Sequence, residues 1–477
     1  MGLRPAVGFA LVLGSLALAG CSSIDEPTDT NGHIAAVDSP TLAGTPYDTL
    51  ATALAVVVTD AAQKPVAGAL VTWTTADGGK FTQATSVTDA AGIARSEWIL
   101  GPAVGTQHAT AATQGTSETA AFSAEADAFR AVSLSMGTGL HSCAIDSQSR
   151  VWCWNRNSST IPFDPGGGST TRSEAPILVA LAEPAAQVVT GLFFTCALTV
   201  GGDVYCWGTN QRGELGNGTG TASAVPVRVA LPTGPYKQLT ANEAGACAVS
   251  ATGEAYCWGA NTHGRFGNGE LPIGGEHATP TPRLVAGGFS WQQLSLGDDR
   301  ACGVRTDRTV YCWGWNSPVS PLGIDGDTSV ATPVAVSTNL RMDSVTVSGY
   351  HECGVILPHE TYCWGENLNL GIPVDAGALR SPTQLPPTPA FQAVHSIHKP
   401  TFALGIDGKG YWWGPPMGAT GGSPAFPTLF SGTVILKAIG TGNTDTCGIA
   451  ADTNVVYCWT DFGWDGPLSV YAVPAPN

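Results

Sequence analysis

The chain has 477 residues, of which only 12 % are charged, and it carries a formal net charge of −16 with 60 glycines and 33 prolines. This length accommodates two or three domains with sizeable cores. The acidic balance argues against a nucleic-acid partner, because affinity for phosphate backbones depends on clustered Lys and Arg. The 13 cysteines favour an oxidising compartment in which disulfides persist.

The first residues have the pattern of an export signal. Arg4 precedes an apolar run, residues 6–19, which is too short to cross a membrane as a stable helix and which leads to Leu-Ala-Gly-Cys ending at Cys21. This pattern resembles a bacterial lipoprotein signal with its lipobox, which implies that residues 1–20 are a signal peptide and that Cys21 carries a lipid. An ordinary signal peptide followed by an unrelated cysteine is the alternative. Residues 21–33 then form a short polar tether.

Residues 34–126 have the pattern of one small β domain. Strands separated by turns rich in Gly, Pro and Asp are predicted at 52–59, 69–74, 93–99 and 108–112. The stretches VVVTDAAQKPVAGALVTWT, TDAAGIARSEWILG and GTQHATA resemble bacterial immunoglobulin-like domains of the invasin and intimin type. The resemblance implies a β-sandwich that acts as a spacer, and Trp73 and Trp98 are predicted to lie in its core.

The stretch CALTVGGDVYCWG, residues 196–208, predicts a β-hairpin. A three-residue loop at 200–202 places Cys196 opposite Cys206, and its third position requires a positive φ that glycine adopts cheaply. If the pair that closes the loop is hydrogen-bonded, the cysteine pair is not, and its Cα atoms are about 4.5 Å apart. That distance lies at the close end of the disulfide range.

The same spacing recurs along the chain and predicts one disulfide within each of six hairpins. In a further unit Phe402 and Trp412 occupy both cysteine positions, and this joint loss favours pairing inside each hairpin. The last pair is one residue wider, and a four-residue loop at 451–454 keeps its cysteines opposite each other. Zinc is not expected, because its sites use shorter spacings. The predicted disulfides are Cys143–Cys153, Cys196–Cys206, Cys247–Cys257, Cys302–Cys312, Cys353–Cys363 and Cys447–Cys458.

Residues 130–477 form an array of seven such units with a period near 50 residues. The stretches VYCWGTNQRGELGNG (204–218) and AYCWGANTHGRFGNG (255–269) resemble the regulator of chromosome condensation repeat. The resemblance implies an all-β chain in which a seven-bladed β-propeller follows the small immunoglobulin-like β-sandwich. The founder of that family is a nuclear exchange factor that acts on a small GTPase and docks on chromatin. An exported, acidic, disulfide-bonded chain is expected to meet neither partner, so we predict no nucleic acid and no small GTPase.

Residues that recur from unit to unit are predicted to be structural, since a binding site would differ between units. The first such set packs between units and comprises Trp154, Trp207, Trp258, Trp313, Trp364, Trp413 and Trp459. A second set has turn or capping roles and comprises Asn157, Asn210, Asn261, Asn316 and Asn367. His141 and His351 occupy equivalent positions and are predicted to be structural too. Asp325 and Asp327 lie in an incomplete calcium-loop pattern, for which a solvated turn is preferred.

The spacings typical of catalysis are absent: the sequence has no HExxH, no G-x-S-x-G and no phosphate loop. We therefore expect no enzyme, no cofactor and no metal site, while a catalytic site assembled from different units stays open. Departures from the repeat are the binding candidates, namely an insertion at 155–175, a second at 269–279, and Trp315. These excursions are expected on one face, where they form either a binding patch or neutral insertions.

The sequence favours a lipid-anchored envelope protein whose stalk presents a propeller to an exported protein or a glycan. Lipoproteins of this type that stay in the inner membrane carry Asp directly after the lipidated cysteine. This chain has Ser22 at that position, so the outer membrane or the cell surface is expected. One alternative is an inhibitor or regulator of an exported enzyme, by similarity to the propeller-type β-lactamase inhibitor. The other is an envelope hydrolase or lyase, which predicts carboxylates and histidines clustered in the central channel.

The ring of units is expected to close with the C-terminal strand. Residues 468–473 are predicted to cross the seam and join the sheet of residues 132–151, because the first unit has no Pro-x-x-Val segment before it. An open ring would expose two strand edges, which closed architectures avoid.

Overall fold

The computed structural model is all-β in the part of the chain that it describes. That part comprises residues 32–37, 42–44, 49–101, 105–114, 116–126, 129–137, 141–155, 176–272, 277–358, 360–366, 370–372, 378–396, 400–415, 426–442, 445–460 and 469–473. Within these ranges, no helical segment has the length and apolarity that a membrane crossing requires. The predicted lipidation site Cys21 and most of the first insertion lie outside the described residues.

In the described residues, ten strands precede the repeats. They are β1 (His33–Ala36), β2 (Leu42–Gly44), β3 (Leu54–Thr59), β4 (Leu70–Thr75), β5 (Lys80–Phe81), β6 (Thr85–Val87), β7 (Ile93–Ser96), β8 (Trp98–Ile99), β9 (Gly105–Thr113) and β10 (Thr119–Ala126). One sheet has the order β1-β3-β7, a second has the order β2-β10-β9-β4-β6, and β5 pairs with β8. The predicted strands correspond to β3, β4, β7 with β8, and β9. The other strands are either very short or, like β10, rich in Ala, which weakens the strand signal.

One hydrophobic core lies between the two larger sheets. Alternate residues of β3 and β10 are buried, and the buried set draws Val56 from one sheet and Phe122 from the other. Trp73 and Trp98 are both buried in this core, as predicted, and Phe81 packs against each ring with centroids 5.5 and 6.2 Å away. Packing of Phe81 against Trp73 and Trp98 therefore holds the short β5–β8 pair against the core.

Seven four-stranded antiparallel sheets follow, here called sheets 1–7, and each sheet pairs its strands in chain order. Sheets 1–4 contain β11 (Ser133–Met136), β12 (His141–Ile145), β13 (Val151–Asn155), β14 (Ile177–Leu178); β15 (Ala185–Thr190), β16 (Phe194–Thr199), β17 (Val204–Gly208), β18 (Ser223–Arg228); β19 (Tyr236–Asn242), β20 (Gly245–Ser250), β21 (Ala255–Ala260), β22 (Ala278–Leu284); and β23 (Trp291–Leu296), β24 (Arg300–Arg305), β25 (Val310–Gly314), β26 (Val330–Ala335). Sheets 5–7 contain β27 (Ser344–Val347), β28 (His351–Ile356), β29 (Glu360–Gly365), β30 (Leu379–Gln384); β31 (Phe391–Ser396), β32 (Thr401–Gly405), β33 (Gly410–Trp413), β34 (Thr428–Leu429); and β35 (Leu436–Thr441), β36 (Thr446–Ala450), β37 (Val456–Thr460), β38 (Ser469–Ala472).

The second and third strands of each sheet form the predicted hairpin in the predicted register. In sheet 2, Cys196 lies opposite Cys206 and Leu198 opposite Val204, and Gly202 has a φ of 90°. The substituted unit keeps the register with Phe402 opposite Trp412, whose rings stack 6.4 Å apart. Six disulfides join the opposed cysteines at Cα–Cα distances of 4.0–4.1 Å: Cys143–Cys153, Cys196–Cys206, Cys247–Cys257, Cys302–Cys312, Cys353–Cys363 and Cys447–Cys458.

The recurring tryptophans are all buried, as their repetition predicts. Each of three of them donates its indole N–H to a backbone carbonyl of the preceding sheet's long loop: Trp258 to Glu214, Trp313 to Arg265, and Trp364 to Leu322, at 2.9, 2.8 and 3.1 Å. These tryptophans therefore stabilise the contact between consecutive sheets by burial and by a satisfied hydrogen bond.

The seam between sheets 7 and 1 closes differently from the prediction. Ser469–Ala472 pairs with Val456–Thr460 as the outer strand of sheet 7, so residues 469–473 do not join sheet 1. Sheet 1 needs no donated strand, because each unit supplies its own four strands. The segment before β11 closes the ring instead: Ala131 N–H donates to the Asn454 carbonyl at 2.9 Å, as Tyr236 does to Gly202 at 3.0 Å within the ring.

Candidate binding face

The long connections of the ring all emerge at one end of the sheets. Because neighbouring strands are antiparallel, the first–second and third–fourth connections share one end, which we call the loop face, and the hairpin turns share the opposite face. Both predicted insertions connect a third strand to a fourth, so the strands that flank them end on the loop face. Residues 156–175 and 273–276 of these insertions lie outside the described residues.

Buried asparagines build the loops that follow the tryptophans. The Asn210 side chain accepts a hydrogen bond from Leu215 N–H at 2.9 Å and donates to the Thr219 and Thr221 carbonyls at 3.0 and 2.9 Å. Asn261 and Asn316 accept equivalent bonds from backbone N–H groups. These three residues have the predicted turn role, whereas Asn157 and Asn367 lie outside the described residues.

Two buried histidines connect neighbouring sheets. His141 Nε2 lies 3.0 Å from the Thr195 hydroxyl, and His351 Nε2 lies 2.6 Å from the Thr401 hydroxyl. Burial lowers the pKa of His141 to about 4, against a smaller opposing effect of the Phe194 backbone. Burial, together with the Arg300 charge, lowers the pKa of His351 to about 3. Both imidazoles are therefore neutral and contact a threonine of the next sheet, in agreement with the predicted structural role.

The departure at Trp315 builds a distinct cluster on the loop face. Trp315 stands where three other units have Thr209, Ala260 and Glu366, and the residue is half-buried. The guanidinium of Arg300 lies 4.8 Å from the ring centroid, and the backbone N–H of Trp315 donates to the Asp299 carbonyl at 2.9 Å. A cation therefore packs against one face of the indole, and the backbone bond fixes the main chain that carries it.

Arg300 is fixed in turn by a fully buried ion pair with sheet 5. Its Nη1 lies 3.1 Å from Glu352 Oε1, and both side chains are 0 % exposed. Nη2 also donates to the Ser320 hydroxyl at 2.9 Å. Burial raises the pKa of Glu352 to about 7, and the opposing effect of Arg300 offsets this only in part. Separating sheets 4 and 5 would leave each buried charge without its partner, which is strongly unfavourable. The ion pair therefore stabilises the contact between these two sheets.

Polar side chains form a rim beside the Trp315 ring. The His263 ring centroid lies 6.4 Å from it, and His263 Nδ1 lies 3.4 Å from Asp299 Oδ1. Both rim side chains are exposed to solvent, at 51 % and 38 %. Asn242 donates to Asp298 Oδ1 at 3.0 Å on the same face. An aromatic ring therefore lies next to hydrogen-bonding groups that reach solvent.

The first strands of the seven sheets surround a central channel of about 540 Å³. Glutamine side chains connect neighbouring first strands: the Gln187 amide donates to the Leu239 carbonyl and accepts from its N–H, both at 2.8 Å. Among the described lining residues His395 is the one titratable group, and burial lowers its pKa to about 4. The cluster of carboxylates and histidines that a hydrolase or lyase alternative predicts does not occur among them.

The aspartates of the incomplete calcium-loop pattern serve other contacts. Asp325 accepts a hydrogen bond from the Ser337 hydroxyl at 3.3 Å, and Asp327 pairs with Arg380 of sheet 5 at 2.5 Å. No group of three or more metal-ligating side chains occurs in the described part of the chain. The preferred interpretation, a solvated turn, agrees with these contacts.

Sequence reasoning singled out Trp315 but missed the groups that hold it. Arg300 precedes its cysteine by two positions and Glu352 precedes its own by one, whereas sheet 3 has the uncharged Gly245 and Ala246 at these positions. Two opposite charges at core positions of consecutive units are a signal that could have identified the pair.

The comparisons with known proteins agree with this architecture. A family model described as the regulator of chromosome condensation (RCC1) repeat matches residues 185–214 and 291–317, and a second such model matches residues 201–241. The chain contains RCC1 repeats. The matched segments cover the first strands and hairpins of sheets 2 and 4 and most of the first strand of sheet 3, so the resemblance stated from the sequence is confirmed for the repeat.

Individual relatives share this repeat over part of their length. The ultraviolet-B receptor UVR8 of Arabidopsis thaliana is 28 % identical over 239 residues, which are 49 % of this chain and 53 % of the receptor, so the chain spans about half of that relative. Prp20p of Saccharomyces cerevisiae superposes with a TM-score of 0.57 at 19 % identity over 72 % of this chain and 82 % of its own. Human WBSCR16 gives a TM-score of 0.57 at 19 % identity over 68 % and 87 %. At these identities the two structures show a shared propeller fold alone.

Proposed function

We propose that the chain is an exported lipoprotein in which an immunoglobulin-like stalk presents a seven-bladed propeller to an exported protein or glycan of the cell envelope. The observation that carries the proposal is the disulfide at the centre of six of the seven sheets. Disulfides persist outside the reducing cytosol, and the lipobox ending at Cys21 supplies a route there. Cys21 is also the thirteenth cysteine, outside the six pairs.

A binding role is supported by how the ring departs from its own repeat. Packing residues recur in nearly every sheet, whereas the insertions and Trp315 belong to single units and flank one face. Rigid scaffolds with variable loops are typical binding platforms. Prp20p, which shares the fold, is described as binding Gsp1p and histones. We propose neither partner here, because neither fits the exported location that is proposed. No catalytic step and no cofactor are part of the proposal.

A photo-crosslinking pair tests which face binds. Val319 lies on the loop face and Val200 on the hairpin face, and each is 68 % exposed. A photoreactive amino acid at Val319 should yield a defined cross-linked product in intact envelopes, whereas the same group at Val200 should not. Equal products from both positions, or none from either position, would contradict binding through the loop face.

A further inference from the structure

We propose that Trp315 and its polar rim bind a pyranose ring of a neutral glycan. This inference rests on the proposed binding function and names the ligand class and its place on the loop face. The recognising groups are one partly buried indole and two solvent-exposed partners, His263 and Asp299.

The indole is preorganised for stacking in the absence of a ligand. Arg300 covers one face of the ring at 4.8 Å and is itself immobilised by Glu352 and Ser320. The opposite face of the indole is therefore the one that a ligand would stack on. A fixed aromatic surface loses little conformational entropy on binding, and its negative quadrupole attracts the weakly positive C–H bonds that line one side of a pyranose ring.

The rim supplies the directional contacts that a sugar requires. Sugar hydroxyls both donate and accept, and the Asp299 carboxylate accepts while the His263 imidazole can do either. The two side chains lie 3.4 Å apart, longer than the usual hydrogen-bond distance, and both reach solvent, so both can turn their polar atoms towards a ligand. The pairing of aromatic stacking with a few polar groups is the usual composition of a small-ligand site.

The local charge selects against anionic ligands. Asp298, Asp299 and Glu366 lie on this face, and the two buried cations beneath it are engaged: Arg300 pairs with Glu352, and Arg265 donates to the Ala260 and Asp298 carbonyls. The carboxylates would repel a glycan that carries phosphate or uronate groups. None of the Arg residues named here is available to offset that repulsion. Neutral hexoses and N-acetylhexosamines meet no such penalty.

The test uses the mature chain carrying Cys21→Ser, exported so that its disulfides form, with chitotriose, cellotriose and maltotriose as probes. Saturation-transfer NMR should show contact from the protein to ring C–H groups of at least one probe. Trp315→Ala should weaken that binding at least about tenfold, and Trp315→Phe should weaken it less, because a smaller aromatic face remains. His263→Ala, a change at an exposed side chain, should also weaken binding.

The matched control is Phe289→Ala, an aromatic deletion in the connection before β23 on the hairpin face, and it should leave sugar binding unchanged. Absence of transfer to all three probes, or transfer that Trp315→Ala leaves intact, overturns the glycan inference. A protein product cross-linked at Val319 without any sugar binding would overturn it while the binding function stands. Failure of both experiments would overturn both.

Discussion

Mild acid should destabilise the ring through His141, and the size of the effect follows from its burial. The folded-state pKa is lowered from 6.5 to about 4, so the folded state binds fewer protons than the unfolded state below pH 6.5. The stability that neutral His141 contributes is therefore present above pH 6.5 and is lost as the pH falls towards 4. At pH 5 this linkage amounts to about 2 kcal/mol.

The assay compares wild type and His141→Gln by chemical denaturation at pH 7.5 and pH 5 with the disulfides intact. The glutamine amide can keep a bond to Thr195, and the variant should lose about 2 kcal/mol less than wild type between the two pH values. The comparison is needed because Glu352 has the opposite sign: its pKa is raised to about 7, so its contribution is lost as the pH rises through 7. His263→Gln, at an exposed histidine, serves as control and should follow wild type. Equal losses in wild type and His141→Gln would refute the reasoning.

Three further outcomes follow from the geometry of the ring. Gly202→Ala should lower stability by about 1 kcal/mol or more, measured by thermal unfolding, because a Cβ there would lie 2.7 Å from the Pro235 Cα in addition to the positive φ; an unchanged melting temperature would contradict this. Phe129→Ala should cost about 3–5 kcal/mol, since Phe129 is buried at the seam against Trp152 and Trp154, with centroids 6.1 and 5.9 Å away; a cost typical of a surface residue would show that this segment does not close the ring. Peptide mapping without reduction should link each cysteine of the six pairs only to its partner 10 or 11 residues away, and any linkage between sheets would refute the register.

Local rules were enough to predict the hairpins. The spacing of ten residues, the glycine at the third loop position and the joint replacement by Phe402 and Trp412 fix strand pairing within a few residues of chain. Burial of the recurring tryptophans followed from their repetition alone. These features depend on neighbours in sequence, and so a single chain reveals them.

Contacts between units were harder to predict, because they join residues about 50 positions apart or at opposite ends of the array. The Arg300–Glu352 pair is one example. The seam is another, where the expectation of a strand crossing from the C terminus was wrong and Ala131 makes the closing bond. The contact between sheets 7 and 1 has no counterpart elsewhere in the chain. The repeat spacing therefore does not reveal which segment forms it.

The N-terminal mass of the mature protein tests the central claim most directly, because disulfide formation, the choice of partner and the glycan inference all depend on export. Expressed in a bacterial host and recovered from membranes with detergent, the chain should begin at Cys21 and carry the mass of a diacylglyceryl group on that residue. The Cys21→Ser protein should lack this mass and leave the membrane fraction. A wild-type chain that still begins at Met1, or that begins at another residue without lipid, would contradict the account of a lipid-anchored envelope protein.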